Sequence, residues 1–243
     1  VIDPPSERFS GVAGAYAQNR PGYPPEALDA LLDEMGPPEK LTIADVGAGT
    51  GIASRLLAQR GATVLAVEPN HSMAEQAEPD PRIEWINGTG EDTHLPSQSV
   101  DIAAAFQAFH WFEAEAAIAE FRRISRRRIA LLQYERDETD PFTAAYGELV
   151  RYYSLEPIEV KRAQALKDFA RLAGPNCSRS DHPYAQRLNR DELLGRMAST
   201  SYLPREGSKA GEMRKLAAAL FERFAERGRV ALAMTCYVLR SDA

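Results

Sequence analysis

The run Asp45-Val46-Gly47-Ala48-Gly49-Thr50-Gly51 limits what this chain can fold into more than any other segment. It closes a short apolar stretch, Leu41 to Val46, and opens an amphipathic one, Ile52 to Arg60. A second apolar stretch, Ala62 to Val67, ends at an acid, Glu68. Buried strand, glycine turn, helix, buried strand, acid is the order in which an α/β sheet offers its strand ends to a nucleoside. Glycine has no Cβ and tolerates positive φ, so backbone at such a turn can come close to a ligand. Glu68 follows Gly47 at close to the ~20-residue spacing at which a carboxylate meets ribose hydroxyls.

The glycine spacing separates two kinds of nucleoside ligand. A dinucleotide fingerprint reads G-x-G-x-x-G, with a third small residue where the helix packs on the strand and its N-terminus open to a pyrophosphate. Here the glycines fall at 47, 49 and 51, and position 52 is Ile. That bulk works against a pyrophosphate, whereas a G-x-G-x-G turn suits the amino-acid part of a ligand. The plainer alternative is a tight structural turn followed by a surface Glu.

The surrounding pattern extends the strand–helix alternation. We expect strands over 41–46, 62–68, 82–87, 100–106 and 128–134, and helices over 51–60, 70–78 and 112–124. Alternating apolar runs and amphipathic helices predict a parallel sheet covered on both faces. Right-handed crossovers then gather the ligand at the C-terminal strand edge. Upstream, 9–18 reads as a helix, and Pro24-Pro25 opens another reaching Met35. Beyond Tyr134 the segment 139–173 reads as helical, interrupted at Pro157. Residues 174–183 read as a polar loop and 184–188 as a short strand. Asp191 is expected to cap a helix to about Ala198. A further helix over 209–227 should stop at Gly228, before a final apolar strand from Arg229 to Leu239. The resulting division is 1–36 N-terminal helices, 37–135 nucleoside-binding core, 136–228 helical substrate region and 229–243 final strand.

Several stretches together resemble a family. Asp45 to Gly51 is similar to the first motif of the class I S-adenosylmethionine-dependent methyltransferases. Gly88-Thr89-Gly90-Glu91, Leu95-Pro96 and Ser99-Val100-Asp101-Ile102 resemble the third cofactor loop and fourth strand of that class. Gln107-Ala108-Phe109-His110-Trp111-Phe112 is similar to the signature of its type-11 subgroup, which includes trans-aconitate methyltransferase-like proteins. Tyr16 and Asn19-Arg20-Pro21-Gly22-Tyr23-Pro24 resemble the N-terminal lid of the same subgroup. The subgroup usually has Ala where this chain has Gly90, a small exchange. The resemblance covers residues 9 to 134 and loosens after 140.

The resemblance implies an α/β, Rossmann-like sheet of seven strands, the last antiparallel beside strand five, with a helical cap inserted after strand five. It implies S-adenosylmethionine (SAM) as cofactor and S-adenosylhomocysteine (SAH) as product. Gly47, Ala48, Gly49 and Gly51 would face the methionine moiety, Asp45 its ammonium, and Glu68 with Pro69 the ribose. Thr89, Gly90 and Glu91 would meet the adenine edge, with helix capping as the other reading of Glu91. Gln107 would lie beneath the sulfonium. Tyr16 and Arg20 would close the lid, Arg20 gripping the cofactor carboxylate. Tyr23, His110, Trp111, Tyr152 and Tyr202 are the candidate substrate contacts. His110 is the candidate general base, the alternative being an orienting histidine packed on Trp111.

Composition narrows the partners. The chain has 243 residues, 44% hydrophobic and 26% charged, with net charge −6. Such a balance shows no broad basic field for nucleic acid. The run Arg122-Arg123-Ile124-Ser125-Arg126-Arg127-Arg128 reads as a solvated helix end opposing the helix dipole. An Asn/Asp-Pro-Pro-aromatic segment, which amino-directed DNA methyltransferases use on a flipped base, is missing after strand four. Two cysteines, Cys177 and Cys236, offer neither metal spacing nor a disulfide framework. No stretch approaches the ~20 apolar residues of a membrane span, and Val1-Ile2-Asp3-Pro4-Pro5 lacks a signal-peptide pattern. A start at Val1 rather than Met suggests that the sequence begins inside a longer one. The expected protein is cytoplasmic, monomeric or homodimeric, and binds no metal, nucleic acid or membrane.

Methyl transfer from a sulfonium needs chiefly positioning, with a base only if the acceptor arrives protonated. The reading is therefore methyl transfer to a small molecule, most simply to a carboxylate or hydroxyl oxygen. N- or C-methylation of a small metabolite and a non-catalytic binding module on the same fold are the alternatives. A nicotinamide-dependent oxidoreductase is disfavoured by Ile52 and by the lack of a Tyr-x-x-x-Lys pair after the fourth strand. Arg151, Arg162 and Arg171 would suit an anionic substrate if they face the cleft.

Overall fold

The computed structural model describes residues 22–243. The expected helix over 9–18, Tyr16 and Arg20 lie outside that range. The first described helix, α1 (Pro25–Leu32), starts on a proline that fixes φ at a position needing no amide hydrogen. It buries Ala27, Leu28, Leu31 and Leu32. Then come β1 (Thr42–Val46), α2 (Ile52–Gln59), β2 (Thr63–Val67), the single turn α3 (His71–Ala74), β3 (Ile83–Ile86), β4 (Val100–Phe106), α4 (Ala114–Ile124) and β5 (Ser125–Arg136). The second half is α5 (Pro141–Tyr153), α6 (Ile158–Ala173), β6 (Ser178–Leu188), α7 (Arg190–Ala198), α8 (Gly207–Phe224) and β7 (Val230–Asp242).

All seven strands join one sheet in the order β3-β2-β1-β4-β5-β7-β6. β1 to β5 pair in parallel. β7 runs antiparallel to both β5 and β6, as a wedge between them. The seven-stranded sheet with its last strand antiparallel is thus the expected one.

Strand alternation divides the interior into two cores. Ile43, Ile102, Ala104, Phe106, Leu132 and Tyr134 face α1, α2, α5, α7 and α8. Ala44, Val46, Ala103, Ala105, Ile129 and Leu131 face α4 and α6, where Phe121 and Phe169 are fully buried. Burial on both faces explains why β1 and β4 read as nearly continuous apolar runs.

Four expectations need correction. Residues 178–183 are not a loop but the first half of β6, an edge strand paired in register with β7 from Ser178↔Arg240 to Leu188↔Val230. Its alternating half-exposed residues lack the apolar signature of an inner strand, and Pro183 is tolerated because an edge strand leaves one set of amides unpaired. The cap of α7 is Asn189, in a reciprocal capping box with Glu192, rather than Asp191. Helix α8 ends at Phe224, and Gly228 belongs to the turn into β7. The arginine run is a solvated helix end only at Arg122 and Arg123, because β5 follows α4 with no intervening loop and takes up the rest. Arg128 is buried and donates to the carbonyls of Leu31 and Asp33, and Arg127 to that of Met35. Together with Arg240, which donates to the Ala30 carbonyl, they satisfy carbonyls at and just after the end of α1. Arg123 pairs with Glu120, and Arg126 with Asp101.

Among the described residues, no helix is long and apolar enough to cross a membrane.

Candidate functional site

At the C-terminal edge of β1, β2 and β4 the chain encloses a cavity of about 280 Å³. Its floor is the glycine turn. Gly47 and Ala48 both donate backbone N–H to the Val67 carbonyl, at 2.8 and 3.0 Å, fastening the turn to β2. Gly47 has φ +76°, and a Cβ there would lie 2.5 Å from the Ala108 Cβ. No larger residue can occupy that position without moving the loop after β4. Ile52, the first residue of α2, lines the cavity, so apolar bulk stands at the helix N-terminus where a pyrophosphate would dock.

Glu68 is locked into this floor. Its Oε2 accepts from Gly49 N–H at 2.8 Å and its Oε1 from Asn70 N–H at 2.9 Å. A carboxylate has about four acceptor sites, so each oxygen keeps one for a hydroxyl. Burial raises its pKa, against the opposing pull of the Asn70 and Gly49 amides.

Asp45 lies beneath the turn rather than in the cavity wall, fully buried. Its Oδ2 accepts from the Ser54 hydroxyl at 2.6 Å, and its Oδ1 has no hydrogen-bond partner among the described residues. Burial pushes its pKa up to about 7, with the Ser54 hydroxyl pulling the other way and the nearby Glu68 charge adding to the rise. Gly51, the left-handed N-cap of α2, also stands behind the lining, where its Cα faces Trp85.

Thr89, Gly90, Glu91, Pro69 and Gln107 all line the cavity, as expected. The Thr89 hydroxyl accepts from the amides of Glu91 and Asp92 and so shapes its own loop. Glu91 uses Oε1 on the backbone N–H of Glu113 at 2.7 Å, which ties this loop to the start of α4. The cap of α4 itself is Glu113, and this contact leaves the other Glu91 carboxylate oxygen without a use in the helix. Gln107 holds φ at +57°, a strained value for a residue with a side chain. Its Nε2 donates to the Tyr134 carbonyl, while its Oε1 is buried without a partner among the described residues.

The exchange at Gly90 is not small. A Cβ at that position would sit 2.5 Å from Cγ of Phe112, whose ring covers the glycine.

Of the candidate substrate contacts, Tyr23 and Trp111 line the cavity. Tyr23 packs edge-on against Phe106 at 5.3 Å and tilted against Tyr134 at 5.9 Å. His110 is in the 3₁₀ turn Phe109–Trp111 with its ring 4.7 Å from that of Trp111, behind the lining. Tyr152 is 81% exposed on α5 and does not reach the cavity. Tyr202 is buried and borders a smaller, neighbouring pocket instead. Sequence reasoning passed over Phe106, which ends β4, Tyr134, near the end of β5 on the ligand edge, and Met73. For the two aromatics the signal was available in the rule that ligands sit at strand C-termini.

A SAM-sized group fits these residues. Glu68 has spare acceptor positions for a diol, the glycine turn presents backbone to the cavity, and two buried oxygens, on Asp45 and Gln107, have no partner among the described residues. The fold is that of the class I S-adenosylmethionine-dependent methyltransferases. The family model described as "Methyltransferase domain" matches residues 44–130, from the third residue of β1 through to mid-β5. An uncharacterized methyltransferase of Mycobacterium tuberculosis is 37% identical over 145 residues, covering 58% of each chain. One of Schizosaccharomyces pombe is 31% identical over 139 residues, covering 56% of this chain and 55% of its own. The chain thus spans little more than half the length of the curated relatives it matches. A solved structure from Anaeromyxobacter dehalogenans, provisionally described as a type II methyltransferase, is 28% identical with a TM-score of 0.65. That alignment covers 92% of this chain and 97% of the other.

Proposed function

We propose that the chain transfers a methyl group from SAM to an oxygen of a small molecule. The observation that carries this reading is the double anchoring of Glu68 to Gly49 and Asn70 at the rim of a cavity that continues to an aromatic wall. SAM, when bound, supplies a methyl group activated by the adjacent sulfonium. Glu68 would hold the ribose hydroxyls with charge-assisted bonds. The Gly47–Gly51 turn would admit the methionine portion, with Asp45 answering its ammonium. The Thr89–Glu91 loop and Phe112 would border the adenine.

Tyr23, Phe106, Trp111 and Tyr134 would form the acceptor side. Their packed rings exclude water and present electron-rich faces suited to a cationic sulfur. Catalysis on this geometry is orientation and desolvation. A carboxylate acceptor arrives ionised and needs no base, which agrees with the place of His110 behind Trp111. In this reading His110 orients Trp111. The segment from α5 to α8 would form the substrate-side cap.

The test is calorimetric titration with SAM, SAH and NADH in parallel. Micromolar affinity for the first two and none for NADH is expected. Absence of binding by both sulfur compounds would overturn the reading.

A further inference from the structure

We propose that the chain has a second binding site, an arginine-walled pocket that holds an oxyanion group of the substrate, a carboxylate or phosphate, away from the accepting atom. That the oxyanion belongs to a methyl acceptor rests on the function proposed above. The binding of an oxyanion does not.

The pocket lies on the far side of Tyr134, which borders both it and the larger cavity. Its walls include Glu135 and Arg136 from β5, Arg162 from α6, Arg196 from α7 and Tyr202. Its volume, about 30 Å³, admits roughly two or three water-sized groups, enough for the oxygens that an oxyanion turns toward the arginines.

Two of its arginines have no acid partner of the kind that Arg136, Arg151 and Arg171 have. Arg196 is only 7% exposed, yet its bonds go to neutral atoms, Gln186 Oε1 at 2.6 Å and Met234 Sδ at 3.6 Å. Arg162 stacks over the Tyr202 ring at 5.8 Å, and its Nε is buried with no hydrogen-bond partner among the described residues. Neither forms an ion pair among the described residues. By contrast Arg151 pairs with Glu138 and Glu159, and Arg171 with Asp168 and Glu115. Arg136 is likewise matched by Glu138 and Glu159. The one unmatched acid bordering the pocket is Glu135, and its Oε1 already accepts from Gln133.

A guanidinium withdrawn from water requires a compensating partner. Its planar fork of donors matches a carboxylate or phosphate two bonds at a time. An incoming oxyanion meets that requirement, and one tethered across Tyr134 to the acceptor atom would fix the substrate's orientation. Of the three arginines suggested by sequence, Arg162 alone takes this part, and Arg196 joins it.

The experiment is calorimetric titration of the full chain with succinate, and separately with inorganic phosphate, at constant ionic strength with and without SAH. Saturable binding of at least one is expected, and the tighter of the two names the group. Arg162→Gln should weaken it at least tenfold and Arg162→Lys by less, with SAH affinity within twofold of the parent. Arg196→Gln should act in the same direction, and Arg162→Gln tests the site even if the more buried variant fails to fold. Arg151→Gln, which alters a paired surface arginine, should leave oxyanion affinity unchanged. The proposal falls if neither anion binds saturably, or if binding survives in Arg162→Gln. Oxyanion binding without SAH binding would leave the pocket standing and remove the methyltransferase reading. SAH binding without oxyanion binding would do the reverse.

Discussion

Gly90 lies under the face of Phe112, and Gly90→Ala turns that packing into a measurable clash. The added Cβ would stand 2.5 Å from Cγ and 2.7 Å from both Cδ atoms of the ring. Ordinary contact begins at 3.4 Å, so ring and loop must part by about 1 Å, an overpacking of the kind that costs ~1–3 kcal/mol. Position 90 is not among the glycines with positive φ, so the cost is steric and not conformational. The ring has little room to retreat, because Phe109 packs against it at 6.0 Å and Phe121 at 6.4 Å, both edge-on. For a chain of this length the midpoint of thermal unfolding should fall by roughly 2–12 °C. Urea unfolding of Gly90→Ala, Phe112→Ala and the double variant supplies the test. Once the ring is gone, adding the methyl should cost nothing, which gives a coupling energy of about 1–3 kcal/mol. Because Phe112 also lines the cavity, Gly90→Ala should weaken SAH binding. Simple additivity, or a single variant within about 0.5 kcal/mol of the parent, would refute the packing argument.

Glu68→Ala should weaken SAM binding by about 10- to 100-fold, the worth of charged hydrogen bonds to the ribose, while the chain stays folded; calorimetry giving the parent affinity would sink the ribose assignment. Asp45 titrates at about 7 in the folded chain against an ordinary 3.8. The folded state therefore holds a proton that the unfolded chain has lost. Stability should decline as pH rises through that window, by at most about 4 kcal/mol. Asp45→Asn should flatten this slope in urea unfolding from pH 4 to pH 8, and an unchanged slope would place the titration elsewhere. Arg128→Met removes the donors to Leu31 and Asp33, and should destabilise the chain by about 2–4 kcal/mol. Retention of parent stability in chemical denaturation would show that these two bonds do not hold α1 in place.

The sequence was most informative where backbone geometry and burial impose the residue. The turn at 47–51 permits little besides glycine, and the buried strands β1, β2, β4 and β5 required apolar runs. These features located the sheet and most of the cavity lining. Legibility failed where one segment serves two purposes. In β6 the half-exposed edge carries Ser178, Arg179, Asp181 and Pro183, a composition that also describes a loop. In the arginine run, helix end and strand start share one basic stretch, and their carbonyl partners lie about a hundred residues upstream. Arg196 offered no motif, since its importance comes from a tertiary environment short of acids. Tyr152 and Tyr202 have the same chemistry but opposite burial, which local pattern on α5 and after α7 did not separate.

The position of β7 between β5 and β6 also orders assembly in time. β1 and β2 pair Thr42 with Thr63 across a short loop, but Leu132 of β5 must wait for Val238. Closing that longer loop costs about 1.4 kcal/mol more in chain entropy than closing the shorter one. Until β7 arrives, β6 has no neighbour in the sheet and β5 presents a bare, apolar edge. A growing chain can thus complete the parallel strands β1 to β5 early while β6 waits for the last strand. That interval is when an unpaired β5 is most open to pairing with another molecule.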